Sequence, residues 1–237
     1  MVLASSMPSP AFIFDFDSTL VSVESLDELL ELSVRRQEKG SAVRRIMSEI
    51  HAITDEGMEG GIDLRTSINR RLALARPTRD DLLALGKRMP ETITKGMDAV
   101  IRMIHDAGGS VFIVSGAIRD LIEPAAHMLG IPNDHVFGNT SVLNDGDFLT
   151  DIAAGPLSTS YGKTEIIRSL VASGVISGPV TMIGDGASDL HPFLSGIADH
   201  FIGVGIHVVR RTVEERAPVF ARTIEELDRS IHSFLPL

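Results

Sequence analysis

Apolar residues along the chain fall into two rhythms. Short, nearly continuous apolar runs occur at AFIFDF (11–16), SVFIVSG (110–116), PVTMIGDG (179–186) and HFIGVG (200–205), each bounded by turn-forming residues. Runs this short, rich in β-branched and aromatic side chains, predict strands buried on both faces of a parallel sheet. Between them, apolar residues recur at helical spacing in GMDAVIRMIHDAG (96–108), IRDLIEPAAHMLG (118–130) and KTEIIRSLVASG (163–174), with glycine closing the pattern. RTIEELDRSIHSFL (222–235) predicts a closing amphipathic helix, and SVLNDGDFLT (141–150) alternates around Asn-Asp-Gly-Asp as a β-hairpin does. Strand–helix alternation of this kind predicts an α/β fold with right-handed crossovers.

One interval breaks the alternation. SLDELLELSVRR (25–36), AVRRIMSEIHAIT (42–54), DLRTSINRRLALA (63–75) and TRDDLLALGKRM (78–89) are four helical patterns with no strand between them. Ser25 and Glu28 have the spacing of a capping box at the first of these helices. The expected organisation is therefore a sheet core formed by residues 1–21 and 93–237, with a helical cap, residues 22–92, inserted after the first strand.

Composition narrows the function classes. The chain has 237 residues, 43% of them hydrophobic and 23% charged, as in ordinary globular proteins. A net charge of −10 disfavours nucleic acid and anionic membranes as partners, since both require basic surface. The absence of cysteine excludes disulfides and thiolate chemistry. No apolar run reaches the roughly 18–20 residues that span a bilayer, and MVLASSMPSPAF does not read as a signal peptide, so a cytoplasmic protein is expected.

The candidate chemistry sits where the apolar runs stop. In open α/β sheets, ligands bind outside the carboxyl ends of the strands. There the sequence places Asp15 and Asp17, two residues apart and so on one face of a strand, then Ser115 and Gly116, Lys163 after SYG, and Asp185 with Asp189 beyond it. Clustered carboxylates cannot all stay ionised without a cation. With no cysteine and no closely spaced histidine pair, all-oxygen ligation suits Mg²⁺, which often also holds a phosphate. The Ser115 hydroxyl and the Lys163 ammonium would serve a phosphoryl group. Asp15 could then attack phosphorus, while Asp17 protonates the leaving oxygen and later activates water.

DFDST (15–19), VSG (114–116), GK (162–163) and GDGASD (184–189) resemble, in order and strand context, the four motifs of the haloacid dehalogenase superfamily of phosphatases. A narrower branch, the phosphoserine phosphatases, is resembled over nearly the whole chain: by DFDSTLVSVESLDEL, by NRRLALARP in the cap, by FGN before the hairpin flap, and by FIGVGIHVVRRTV. The resemblance implies a Rossmann-like parallel-sheet core with a helical cap and a β-hairpin flap. It implies Asp15 as nucleophile and Mg²⁺ ligand, Asp17 as general acid/base and a ligand through its carbonyl, and Asp185 as the third ligand. Asp189 would support Lys163 and the metal shell, with Ser115, Gly116 and Lys163 holding phosphate. In the cap, Glu24 would pair with a substrate ammonium, Arg71 with its carboxylate, and Met58 would lie near the substrate. The implied substrate is a small phosphorylated amino acid, O-phospho-L-serine, and the enzyme a monomer or homodimer.

The chain departs from that pattern at Ala117, where a second glycine is usual, at Thr140 in place of an arginine, and at Leu64 in place of an aromatic. Ser188 stands where Asn or Thr is common, and its hydroxyl could still bond substrate. These positions bear on the leaving group, so a phosphatase or phosphotransferase for another small phosphomonoester is the alternative. A silent amino-acid sensor would be expected to lose Asp15 or Asp17. A response-regulator receiver also uses strand-end acids and a lysine, but it is shorter and lacks both the helical insert and GDGxxD. Arg210, Arg211 and the histidines, including His191, read as ordinary surface residues.

Overall fold

The computed structural model describes residues 9–58 and 62–235. Its strands are β1 (Ala11–Phe14), β2 (Ser110–Ile118), β3 (Val136–Asn139), β4 (Ser141–Leu143), β5 (Leu149–Ile152), β6 (Val180–Gly184), β7 (His200–Val204) and β8 (Val219–Ala221). The first four helices, α1 (Ser25–Gln37), α2 (Ser41–Met58), α3 (Leu64–Ala75) and α4 (Arg79–Arg88), follow β1 without an intervening strand. The remainder are α5 (Met97–Asp106), α6 (Arg119–Met128), α7 (Gly162–Ala172), α8 (Ala187–Leu194), the one-turn α9 (Arg211–Glu214) and α10 (Ile224–His232).

Six strands form one sheet in the order β3-β2-β1-β6-β7-β8. The pairings of β1 with β2 and β6, of β6 with β7, and of β7 with β8 are all parallel. Phe12, Phe14, Phe112 and Phe201 are fully buried in this sheet, as the unbroken apolar runs require. From β1 the chain builds outward to β2 and β3, then returns to lay β6, β7 and β8 on the other side. The order therefore reverses between β1 and β6, and in an open parallel sheet that reversal opens a crevice beyond the carboxyl ends of both strands.

The chain divides into two compact units. One contains the residues up to Ser22, Ile93–Ser115 and Lys163–Leu237; the other contains Val23–Thr92 and Gly116–Gly162. In the second unit α1–α4 are accompanied by α6 and by the antiparallel hairpin β4–β5. The hairpin turn is closed by Asn144 Oδ1, which accepts from the amides of Gly146 and Phe148. Among the described residues, no helix is long and apolar enough to cross a membrane.

The structure corrects two sequence expectations and adds two strands to the sheet. β1 ends at Phe14, one residue short of Asp15, because the chain turns there into a loop. Ser25 and Glu28 form no capping box: the helix starts with Ser25 itself, Glu24 is the N-cap, and no side chain caps it. That motif is found instead at α4, where Thr78 and Asp81 cap one another's backbone amides. Two edge strands, β3 and β8, are only four and three residues long, too short to stand out by pattern.

Candidate active site

Asp15 is delivered by β1. Its amide donates to Ile183 O of β6 at 2.9 Å, which ties the ends of the two strands together. Its carboxylate accepts from the Phe16 amide at 2.8 Å. The chain then makes a tight loop, closed by the Val21 amide on Phe16 O at 3.1 Å. Within it Ser18 takes φ 51°, a left-handed conformation that costs a non-glycine residue energy and occurs preferentially at functional sites. Buried Thr19 follows and donates to Asp185 Oδ1 at 3.2 Å. The loop thus links the end of β1 to the residue that follows β6.

Asp185, 3% exposed, accepts Arg210 Nε at 2.8 Å on its other oxygen. Asp189, in the first turn of α8, is fully buried and accepts the Gly186 amide at 2.8 Å. Its remaining oxygen lies 2.5 Å from Lys163 Nζ, and the same ammonium lies 2.8 Å from Asp15. Lys163 is the second residue of α7 and is itself buried. Gly184 makes this packing possible, because a Cβ there would come within 2.3 Å of the Asp189 carboxyl.

Charge is concentrated where water is scarce. Burial opposes the Lys163 ammonium, yet Asp15 and Asp189 outweigh it and hold its pKa above the ordinary lysine value. Burial, and then the charge of Asp15, push the Asp189 carboxyl up. The same two causes raise Asp185, with Arg210 and Lys163 acting against them. Carboxylate oxygens of Asp15, Asp185 and Asp189 lie within 4.8 Å of one another. Three acids against two cations leave net negative charge, and an all-carboxylate donor set is the chemistry of a hard divalent cation. The residues present therefore fit a metal ion. The Asp17 carboxylate, half-buried on the loop, is not part of this cluster.

Ser115 is buried and Gly116 exposed near the end of β2, and Ser188 is the half-buried second residue of α8. In the second unit, Glu24 is exposed at the N-cap of α1. Arg71 of α3 is 7% exposed and lies 3.3 Å from Asp27. Met58 ends α2, and its side chain lies outside the described residues, as does that of Leu64. Burial lowers the Arg71 pKa, while the charges of Asp27 and Glu24 oppose the shift.

Sequence reasoning missed three polar residues. Arg210 is not an ordinary surface residue but the partner of Asp185, whereas Arg211 pairs with Glu215 at the surface. Asn139 is buried and donates to Gly116 O at 2.7 Å and Leu157 O at 3.2 Å. Asp27 is the counter-ion of Arg71. The available signal for Arg210 was its place a few residues beyond a buried strand; for the other two, only tertiary proximity reveals the role.

Comparison with known proteins identifies the family. Residues 12–193 match the sequence model of a family described as haloacid dehalogenase-like hydrolase. The chain is 33% identical over 215 residues to a phosphoserine phosphatase of Drosophila melanogaster, covering 90% of this chain and 75% of that protein. It resembles the crystal structure of a phosphoserine phosphohydrolase-like protein from Francisella tularensis subsp. tularensis SCHU S4, with TM-score 0.80 and 31% identity over 94% of this chain and 99% of that one. A structure of a phospho-aspartyl intermediate analogue of phosphoserine phosphatase superposes with TM-score 0.75 at 25% identity, covering 97% and 100% of the two chains. With that match running from β1 into α8 across all four motifs, the chain belongs to the haloacid dehalogenase-like hydrolases.

Proposed function

We propose that the protein hydrolyses O-phospho-L-serine to L-serine and phosphate through an aspartyl-phosphate on Asp15. The observation that carries the reaction type is the Asp15–Lys163–Asp189 arrangement, with Asp185 beside it, at the reversal point of the sheet. The substrate is supported by the phosphoserine phosphatases among the relatives and by the opposite charges of Glu24 and Arg71 in the other unit. In this reading that unit, centred on residues 22–92, selects the substrate, with Met58 contributing a contact, and Ser188 of α8 in the first unit is a further substrate-binding residue. The proposal includes a cytoplasmic setting and a monomeric or homodimeric enzyme.

Asp15, Asp185 and the Asp17 carbonyl would hold Mg²⁺, which when bound neutralises the cluster and the charge of the phosphoryl oxygens. Asp15 forms a bond from its carboxylate oxygen to phosphorus as the bond to the serine oxygen breaks. Asp17 donates the proton that makes this leaving oxygen a hydroxyl. The same carboxylate then takes a proton from water as that water attacks phosphorus, which releases phosphate and regenerates Asp15. Ser115, the Gly116 amide and Lys163 hold the phosphoryl oxygens throughout. Lys163 is fitted to this because its two carboxylate neighbours keep it charged despite burial.

The test is a substrate panel assayed with Mg²⁺. Strong preference for O-phospho-L-serine over O-phosphoethanolamine and glycerol phosphate is expected, with activity abolished in Asp15→Asn. Equal kcat/KM across the panel would refute the substrate assignment. Near-normal turnover in the variant would refute the mechanism.

A further inference from the structure

The buried cation of the second unit is held less firmly than a structural arginine. Arg71 Nε donates to Ser67 O of its own helix, and Nη1 is shared between Asp27 Oδ1 and Thr54 Oγ1, all at 3.3 Å. These distances lie at the loose end of hydrogen bonding, and a guanidinium has five N–H donors to satisfy. Nη2 makes no hydrogen bond among the described residues. With Nε and Nη1 each held only at 3.3 Å, the guanidinium can take one more acceptor at Nη2.

Asp27 has a simpler reading as a first-turn acid of α1, favoured there by the helix dipole. That reading does not require a partner on α3. Yet Asp27 is the carboxylate that ion-pairs with Arg71, and with a side chain 37% exposed it is not forced into the pair by burial.

We propose that Asp27 is a positioning residue: by holding Arg71 through Nη1, it turns the Nη2 edge toward the carboxylate of the amino-acid substrate. This rests on the assignment of Arg71 to that carboxylate. Asp27 touches no substrate atom in this scheme. Its charge keeps the guanidinium in place when the site is empty, and the substrate carboxylate completes the shell. Selectivity for a carboxylate-bearing phosphomonoester then depends on two acids at the start of α1 with different tasks: Glu24, its N-cap, for the ammonium and Asp27, in its first turn, for the arginine.

The test measures kcat and KM separately for O-phospho-L-serine and for O-phosphoethanolamine, which lacks the carboxylate. Asp27→Ala is expected to raise KM for O-phospho-L-serine by about tenfold with a smaller change in kcat, and to alter kcat/KM for O-phosphoethanolamine by at most about twofold. Asp27→Asn keeps an acceptor oxygen and the side-chain volume. It is expected to fall between wild type and the alanine variant, and it serves if the alanine variant does not fold. An equal loss on both substrates, or an unchanged KM for O-phospho-L-serine, would overturn the proposal. If wild type itself shows no preference between the two substrates, the substrate assignment fails first. If it does and both variants retain it, only the role of Asp27 fails.

Discussion

The guanidinium of Arg210 donates to Asp185 at 2.8 Å, on the oxygen that Thr19 does not use. Asp185 is 3% exposed, and burial together with Asp15 already raises its pKa. Arg210→Ala removes the nearest relief. Breaking a buried pair from one side can cost about 3–5 kcal/mol, and the 29% exposure of the Arg210 side chain reduces this to roughly 1–2 kcal/mol. The expected result is a lower Tm and a loss of kcat/KM of about tenfold or more, with Arg210→Lys intermediate. Unchanged activity in Arg210→Ala would return the residue to the surface role its sequence context suggests.

Lys163 has two carboxylates within 2.8 Å, and one of them, Asp189, has no exposure to water. Lys163→Met keeps volume and removes charge. Turnover is expected to fall by about a thousandfold or more, since the counter-ion of Asp15 and, in the proposed mechanism, the phosphoryl anchor both disappear. Steady-state kinetics checks the first effect. Thermal unfolding checks the second, with a destabilisation on the order of 3 kcal/mol at neutral pH.

Gly184 is a steric requirement of the site. A Cβ there would lie 2.3 Å from Asp189 Cγ and Oδ2. Gly184→Ala is expected to push Asp189 off Lys163, with a cost of roughly 2–3 kcal/mol and loss of most activity. Full activity with an unchanged Tm would show that Asp189 can move without consequence.

Asp81 links α4 to α1 through two hydrogen bonds from Arg36, at 2.8 and 2.9 Å. Burial alone would raise its pKa, but the bonds from Arg36 and Thr78 prevail and hold it below the ordinary value. A carboxyl depressed in the folded state adds stability that is present above its unfolded pKa, near about 3.9, and is lost as pH falls through the folded value. Asp81→Ala is therefore expected to destabilise by roughly 1–2 kcal/mol at pH 7, after allowance for the half-exposed Arg36, and by less as acid titrates the wild-type group. Urea unfolding of both proteins at neutral and acid pH measures the difference.

Asn139 spans two carbonyls from separate segments, Gly116 O and Leu157 O, using one amide nitrogen. Asn139→Asp preserves shape but has no donor. It is expected to cost about 2 kcal/mol or more and, if Ser115 holds phosphate as proposed, to lower kcat/KM, because Gly116 is the next residue in the chain. A change confined to stability would separate Asn139 from catalysis.

Much of this architecture was legible in the linear pattern. The apolar runs marked β1, β2, β6 and β7, and a run buried on both faces has few alternatives to a central parallel strand. Asp15, Asp185 and Asp189 stood out because each interrupts or follows such a run at its carboxyl end, and Lys163 because it opens a helix directly after SYG. The boundaries were less legible. Alternation continues through Phe16, but the strand stops at Phe14 because Asp15 caps the Phe16 amide and the chain turns. The Ser25–Glu28 spacing suited a capping box and formed none, since the helix began one residue too early for it.

The sequence by itself determined which residues could be buried, which segments could be strands and helices, and which charged groups stood at strand ends, because these follow from side-chain period and composition. Strand order did not follow from it. That β1 lies between β2 and β6, so that Asp15 meets residues more than 145 positions away, is a fact of sheet assembly. The partnerships of Arg210 with Asp185, of Asn139 with Gly116 and of Asp27 with Arg71 are equally tertiary. A hydrogen bond acts over about 3 Å and is indifferent to chain separation, so its partners become definite only when packing has fixed where each backbone runs.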